Sequence, residues 1–320
     1  MVMLSPRLRQ AIALSQAGRN DEAVAILRQL AAANEPAALA MLAEVTWRGG
    51  MVPQDPVAAR DLFRRASMAG HAQATRYYTN LLASGVAGAR SWSTAIERLR
   101  REAASDRGRA TIMALIDAMN LDEAGDPLVL PSPRQLSIAP QVALYPRAFT
   151  PAECDYLRGI AEPLYQPSVV NDSTGRLVRD PIRTSDGATL HWLIEDPAVH
   201  ALNRRLAALS GSAWETGEAL QVLRYRPGEE YRPHLDFVRA SDNVRVLTAL
   251  VYLNDDYRGG ETLFTGTGLK VKGCQGDVLI FRNARGDGAV DPLSRHAGAP
   301  VEDGVKFVAS RWIRSSRWVV

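Results

Sequence analysis

The stretch Tyr225–Phe237, YRPGEEYRPHLDF, decides how this chain is read. It opens on the end of an apolar strand, passes a turn punctuated by proline and glycine, and then sets His234 and Asp236 two positions apart. On an extended strand, residues i and i+2 point to the same face, so an imidazole and a carboxylate placed this way can grip one cation. Sixty residues beyond the carboxylate, DPLSRHAGAP supplies a second imidazole, His296. Two His and one carboxylate occupy one face of an octahedron. Three positions stay open, which is the donor set of non-haem Fe(II) centres that take a bidentate cosubstrate and dioxygen.

Around this stretch the pattern is that of short strands separated by Gly and Pro turns. The clearest are ALQVLRYR (219–226), VRVLTALVYLN (244–254), GLKVKG (268–273), DVLIFRN (277–283) and VKFVASRWIR (305–314). Many short strands with distant partners predict a sandwich or jelly roll. Helices are expected from Thr150, an N-cap followed by Pro151 and by Glu153 at N3, and from Pro197 to Ser210. In the last strand Lys306, Val308, Ser310 and Trp312 share a face. A lysine pointing into a barrel is costly unless an anion meets it. Of 38 basic residues only Lys270, Lys272 and Lys306 are lysine, so a compact ammonium at 306 stands out against the broad fork of arginine.

The first 130 residues read differently. The segments AVAILRQLAAAN from Ala23, ARDLFRRASMAG from Ala59 and AIERLRREAASD from Ala95 align without gaps at a spacing of 36. Each is followed by a second amphipathic segment, with Gly49 and Gly85 placed to end helices. Paired helices that cannot bury their apolar faces alone predict a short α-solenoid. His71 sits at a helix end, where it is expected to cap. The expected domains are residues 1–125 as the repeat domain, a proline-rich linker at 126–140, and a β-rich domain at 141–320.

Composition bounds the rest. The 320 residues are 46% apolar and 23% charged, which excludes a disordered or disulfide-scaffold protein and fits about two domains. The net charge of +3 is evenly spread, so neither nucleic acid nor a membrane surface is an expected partner. Two cysteines, no run of about 20 apolar residues and no signal-peptide pattern in MVMLSPRLRQAIAL lead to the expectation of a cytoplasmic protein.

From about Ala143 to Trp312 the motifs YRPGEEYRPHLDF, VRVLTALVYLND, GGETLF and RHAGAPVEDGVKFVASRWI resemble the prolyl 4-hydroxylase-like group of Fe(II)- and 2-oxoglutarate-dependent dioxygenases. The resemblance implies a double-stranded β-helix, or jelly roll, with flanking helices. It places His234, Asp236 and His296 as iron ligands and Lys306 on the distal carboxylate of 2-oxoglutarate. Tyr225, Thr262 and Trp312 fall on cosubstrate positions. Arg245, Tyr231 and the RTSDG element with Arg183 and Ser185 fall on substrate positions. Fe(II), 2-oxoglutarate and O2 are the implied cofactors and cosubstrates, with ascorbate as a candidate addition. Thr265, where the family often has proline, and Phe307, where tryptophan is more usual, depart from the pattern and leave substrate choice open. The helical half resembles tetratricopeptide-like repeats over about residues 5–120, with GGMVPQDPVAA and ASMAGH as the matching elements.

These resemblances imply decarboxylation of 2-oxoglutarate to succinate and CO2 coupled to hydroxylation, with prolyl residues of a peptide or protein recruited by the repeats as the leading substrate. A free amino acid or small metabolite, with purely structural repeats, is the alternative. A repeat-based interaction module with a non-catalytic oxygenase-like domain is a third reading.

Overall fold

The computed structural model describes residues 4–171, 177–237 and 242–319. The chain divides into two compact units, residues 1–114 with 192–200 and residues 115–191 with 201–319.

Helices α1 (Pro6–Gln16), α2 (Asn20–Ala32), α3 (Pro36–Arg48), α4 (Pro56–Met68), α5 (Ala72–Ser84), α6 (Trp92–Ala103) and α7 (Arg107–Ala118) run in order. From α1 to α6 each packs on the next. Because α2, α4 and α6 begin at residues 20, 56 and 92, the 36-residue spacing is a spacing of whole helices. Ala23, Leu27 and Ala31 of α2, Ala59 and Phe63 of α4, and Ala95 and Leu99 of α6 are buried at intervals of four, one stripe per helix. Their ends are chemically specified. Ser5 and Asp55 accept N–H groups of the first turn, and His71 does the same through Nδ1, 3.2 Å from the Ala74 nitrogen. Gly85 closes α5 at φ +76°, a conformation that favours glycine.

In the second unit the strands are β1 (Arg134–Ile138), β2 (Gln141–Tyr145), β3 (Gln166–Pro167), β4 (Val170–Asn171), β5 (Leu177–Val178) and β6 (Asp186–Leu190). After them come β7 (Leu220–Tyr225), β8 (Tyr231–His234), β9 (Arg245–Tyr252), β10 (Arg258–Gly259), β11 (Thr262–Phe264) and β12 (Leu269–Val271). The last are β13 (Val278–Arg282), β14 (His296–Gly298), β15 (Val301–Asp303) and β16 (Lys306–Arg314). Helix α8 (Pro151–Ala161) starts on a complete Thr150–Glu153 capping box, and α9 spans Pro197–Ser210.

Among the described residues an eight-stranded antiparallel sheet has the order β1-β2-β13-β9-β16-β7-β6-β3, and a four-stranded one has the order β12-β11-β14-β8. Val142, Tyr252, Leu279 and Phe281 of the large sheet meet Phe264 and Val271 of the small one in a shared apolar cluster. The sheets therefore pack face to face over an apolar core. The opposite face of β16 carries Arg311, buried, which donates to the Asn203, Trp214 and Glu218 carbonyls at 2.7, 2.9 and 3.1 Å. Three carbonyl acceptors satisfy much of the hydrogen-bonding capacity of this buried guanidinium.

Two expectations differ from the structure. Arg134–Ile138, inside the stretch expected to be linker, pairs with β2 as an edge strand. Pro131, Pro133 and Pro140 flank these residues instead of interrupting them, and an edge position needs only one paired side. Strand β8 ends at His234, so Asp236 lies beyond the strand and not on it.

Candidate active site

Register places the first imidazole against the second. In the small sheet His296 of β14 is paired opposite His234 of β8, and the ring centroids stand 4.3 Å apart. Phe281 and Phe264 wall the His296 ring at 4.6 and 5.9 Å. The chain leaving β8 then brings Asp236 back to both rings. Its Oδ1 is 3.5 Å from His234 Nε2 and its Oδ2 3.7 Å from His296 Nε2.

The tautomers follow from the partners. His234 Nδ1 lies 2.8 Å from the Arg232 carbonyl and His296 Nδ1 3.0 Å from the Ser294 carbonyl. A carbonyl can only accept, so each Nδ1 carries a proton and each Nε2 is the nitrogen turned inward toward Asp236. Burial alone would raise Asp236, but His296 and the hydrogen-bonded His234 outweigh it and hold the carboxyl well below its usual range. Burial, and then His234, push His296 down to about 4. One carboxylate and two neutral imidazoles is the protonation state a metal requires. The three donor atoms lie within 4.8 Å of one another, close enough to share one ion. This donor set fits Fe(II).

Two residues absent from the sequence reading orient the carboxylate. Thr248 Oγ1 donates to Asp236 Oδ2 at 2.6 Å, and Asn283 Nδ2 donates to Thr248 Oγ1 at 2.8 Å. A lone threonine in the largely apolar strand VRVLTALVYLN was the available signal for Thr248. The short chain from Asn283 to the carboxylate leaves Asp236 little freedom to turn.

From this cluster a cavity of about 450 Å³, including open solvent at its mouth, runs between the sheets. Lys306, Val308, Ser310 and Trp312 line it along β16, and Tyr225, Tyr231, Thr262 and Arg183 line other walls. Lys306 is 5% exposed, and its Nζ donates to the Gly260 carbonyl at 2.7 Å. Among the described residues no carboxylate forms an ion pair with it, and burial pushes the ammonium down to about 8. Gly260 sits at φ +67°, and a Cβ there would meet Lys306 Cδ at 3.2 Å, so the close approach needs glycine. Tyr225 pairs with Lys306 across strands, its ring 5.4 Å from Nζ. Thr262 Oγ1 stands 3.1 Å from the Tyr252 hydroxyl.

The substrate-side residues divide. Tyr231 stacks on His234 with ring centroids 3.4 Å apart, and Arg183 lies 4.9 Å from the Tyr231 ring. Ser185 is buried behind them as a partner of Arg183 and Ser168, and does not line the cavity. Arg245 does not line it either. It is held by Glu218 at 2.6 and 2.7 Å and lies 4.0 Å over the Trp312 ring.

Two antiparallel sheets enclosing a His-x-Asp…His cluster, with a buried cation deeper in the same cavity, define a non-haem metal oxygenase centre. The sequence model of the 2OG-Fe(II) oxygenase superfamily matches residues 220–314, which hold all three donors and Lys306. Prolyl 4-hydroxylase 1 of Arabidopsis thaliana is 37% identical over 202 residues, covering 57% of this chain and 71% of that protein. Probable prolyl 4-hydroxylase 3 of the same plant is 31% identical, covering 58% and 73%. The solved viral collagen prolyl hydroxylase of Paramecium Bursaria Chlorella virus-1, as its 2-oxoglutarate complex, is 25% identical with a TM-score of 0.45, covering 55% of this chain and 96% of that one. The chain belongs to the prolyl 4-hydroxylase family of 2OG-Fe(II) oxygenases. It is a dioxygenase that uses Fe(II), 2-oxoglutarate and O2.

Proposed function

We propose that the protein hydroxylates prolyl residues of a peptide or protein, converting 2-oxoglutarate and O2 to succinate and CO2 as it does so. The observation that carries this reading is the cavity itself. Three metal donors line it together with a buried ammonium that has no carboxylate partner among the described residues.

His234 and His296 offer Nε2, and Asp236 offers a carboxylate oxygen. Bound Fe(II) supplies the oxidative chemistry, in which one atom of dioxygen enters succinate and the other the substrate C–H bond. Lys306 neutralises the far carboxylate of 2-oxoglutarate, which offsets part of the cost of burying its ammonium. Tyr225 and Thr262 hydrogen-bond the same cosubstrate, and Trp312 shapes the wall beside it. Tyr231 and Arg183 stand on the substrate side, next to His234. Arg245 acts on the substrate through Trp312, whose ring it backs, and Ser185 through Arg183.

The jelly roll is the family expectation that the two packed sheets support. We read residues 1–125 as an α-solenoid that recruits the substrate, with 141–320 as the oxygenase domain. The 36-residue spacing of α2, α4 and α6 supports the repeats. Unpaired Cys154 and Cys274 suit a reducing compartment, consistent with the cytoplasm. No described helix is long and apolar enough to cross a membrane.

The test is succinate release in air from protein loaded anaerobically with Fe(II) and 2-oxoglutarate, screened over proline-containing peptides and free amino acids. Peptide-dependent release that falls when residues 1–125 are deleted, with uncoupled 2-oxoglutarate turnover retained, is the expected result. Release driven only by a free amino acid and indifferent to that deletion would establish the small-molecule reading instead.

A further inference from the structure

The antiparallel ladder changes hands beside Lys306. On one side of β16, Lys306 pairs with Tyr225 of β7, so its own peptide groups face that strand. On the other side the strand pairing with β9 ends at Val308 opposite Tyr252, with one backbone bond beyond it, from the Leu253 N–H to the Phe307 carbonyl at 3.0 Å. The Val305 carbonyl and the Phe307 N–H face that second side, past the last paired residue of β9. Both are taken by one side chain. Asn254 Nδ2 donates to the Val305 carbonyl at 2.8 Å, and the Phe307 N–H donates to Asn254 Oδ1 at 2.7 Å. A primary amide bonded through both ends to one backbone reproduces what a neighbouring strand would supply.

The orientation of that amide is determined by its partners. Its nitrogen also donates to Asp256 Oδ1 at 2.5 Å, so it faces two acceptors, while its oxygen faces a donor. The reverse orientation would set a carbonyl against a carbonyl and a carboxylate. Asn254 is 4% exposed and does not line the cavity. It holds the two peptide groups flanking Lys306 and touches neither metal donors nor cosubstrate positions.

We propose that Asn254 is a positioning residue for the cosubstrate. By standing in for β9 it holds the first residues of β16 in the sheet and keeps the Lys306 ammonium aimed into the cavity. This rests on the reading that Lys306 meets the far carboxylate of 2-oxoglutarate. Without the clamp the Val305 carbonyl and the Phe307 N–H lose their partner on that side, and only the Phe307 carbonyl, which accepts from the Leu253 N–H at 3.0 Å, still ties the strand start there. A displacement of about 1 Å at a buried charged hydrogen bond costs much of its strength.

The test uses the full-length Mn(II)-loaded protein and two ligands titrated calorimetrically without oxygen. Oxalate shares the chelating end of 2-oxoglutarate and lacks the far carboxylate. Lys306→Ala must weaken 2-oxoglutarate and spare oxalate. If it spares both, the Lys306 reading falls, and the role given to Asn254 falls with it. With that control in place, Asn254→Ala is expected to weaken 2-oxoglutarate at least about tenfold, the loss of one charge-assisted bond, while oxalate stays within about twofold. Asp256→Ala, at an exposed position that only steadies the amide, is expected to show the same selectivity at a few-fold and keeps the test open should Asn254→Ala fail to fold. Equal loss of both ligands, or 2-oxoglutarate affinity unchanged in both variants, would overturn the proposal.

Discussion

At one end of the cavity Asp236 lies between His234 and His296, and each of the three is held from behind, the imidazoles by the Arg232 and Ser294 carbonyls and the carboxylate by the Thr248 hydroxyl. At the other end Lys306 is buried to the same degree, and among the described residues its Nζ meets only neutral groups at close range, the Gly260 carbonyl and the Tyr225 ring, while Glu261 acts on it at a distance. The metal end is preorganised by the hydrogen bonds behind its three donors, and the cosubstrate end holds a charge that an incoming carboxylate completes. The difference teaches that the two ends fail differently. Damage at the first removes the reaction, whereas damage at the second removes affinity for one ligand.

The largest effect tests the metal end. Asp236→Ala leaves two imidazoles without a carboxylate, so metal binding by titration and succinate formation are both expected to fall below detection. Lys306→Ala separates the ends. The KM for 2-oxoglutarate should rise about 100-fold, from loss of a charged hydrogen bond in a dry site, with metal affinity unchanged. If metal affinity falls equally, the two ends are one unit and the comparison breaks.

Thr248→Val removes the donor to Asp236 and should weaken metal binding about tenfold, with Thr248→Ser restoring it. The pH profile gives the sign for the other end. With the free ammonium lowered to about 8, Lys306 is charged below that pH and progressively neutral above it. The KM for 2-oxoglutarate should therefore rise about fourfold between pH 7 and 8.5, and Lys306→Arg should flatten that rise because its charge persists. The smallest effect is on stability. A lysine whose folded value lies below its unfolded one costs stability at neutral pH, and the cost disappears as pH rises through the window from about 8 to 10.5. Lys306→Met should accordingly raise the Tm of the 2-oxoglutarate-free protein by a few degrees while abolishing the stabilisation that 2-oxoglutarate gives the parent.

Much of this was legible along the chain. Caps at His71 and Thr150, the 36-residue spacing and the face shared by Lys306, Val308, Ser310 and Trp312 are local facts, because helix and strand periodicity act within a few residues. Thr248, Asn283 and Asn254 were not legible. Each acts on a residue 12 to 53 positions away, and nothing beside it in sequence shows where its side chain lands. The end of β8 at His234 also escaped, since the placing of Asp236 depends on contacts from Thr248 and not on strand alternation.

The sequence by itself determined the element types, the donor set His234, Asp236 and His296, and the choice of lysine at 306. Those follow from periodicity and from the chemistry of the side chains. Only the tertiary structure decided that His234 and His296 face each other, that Arg245 backs Trp312 outside the cavity, and that Asn254 stands in for a strand beside Lys306. Antiparallel register joins residues tens of positions apart, and a slip of one residue would turn every side chain to the opposite face.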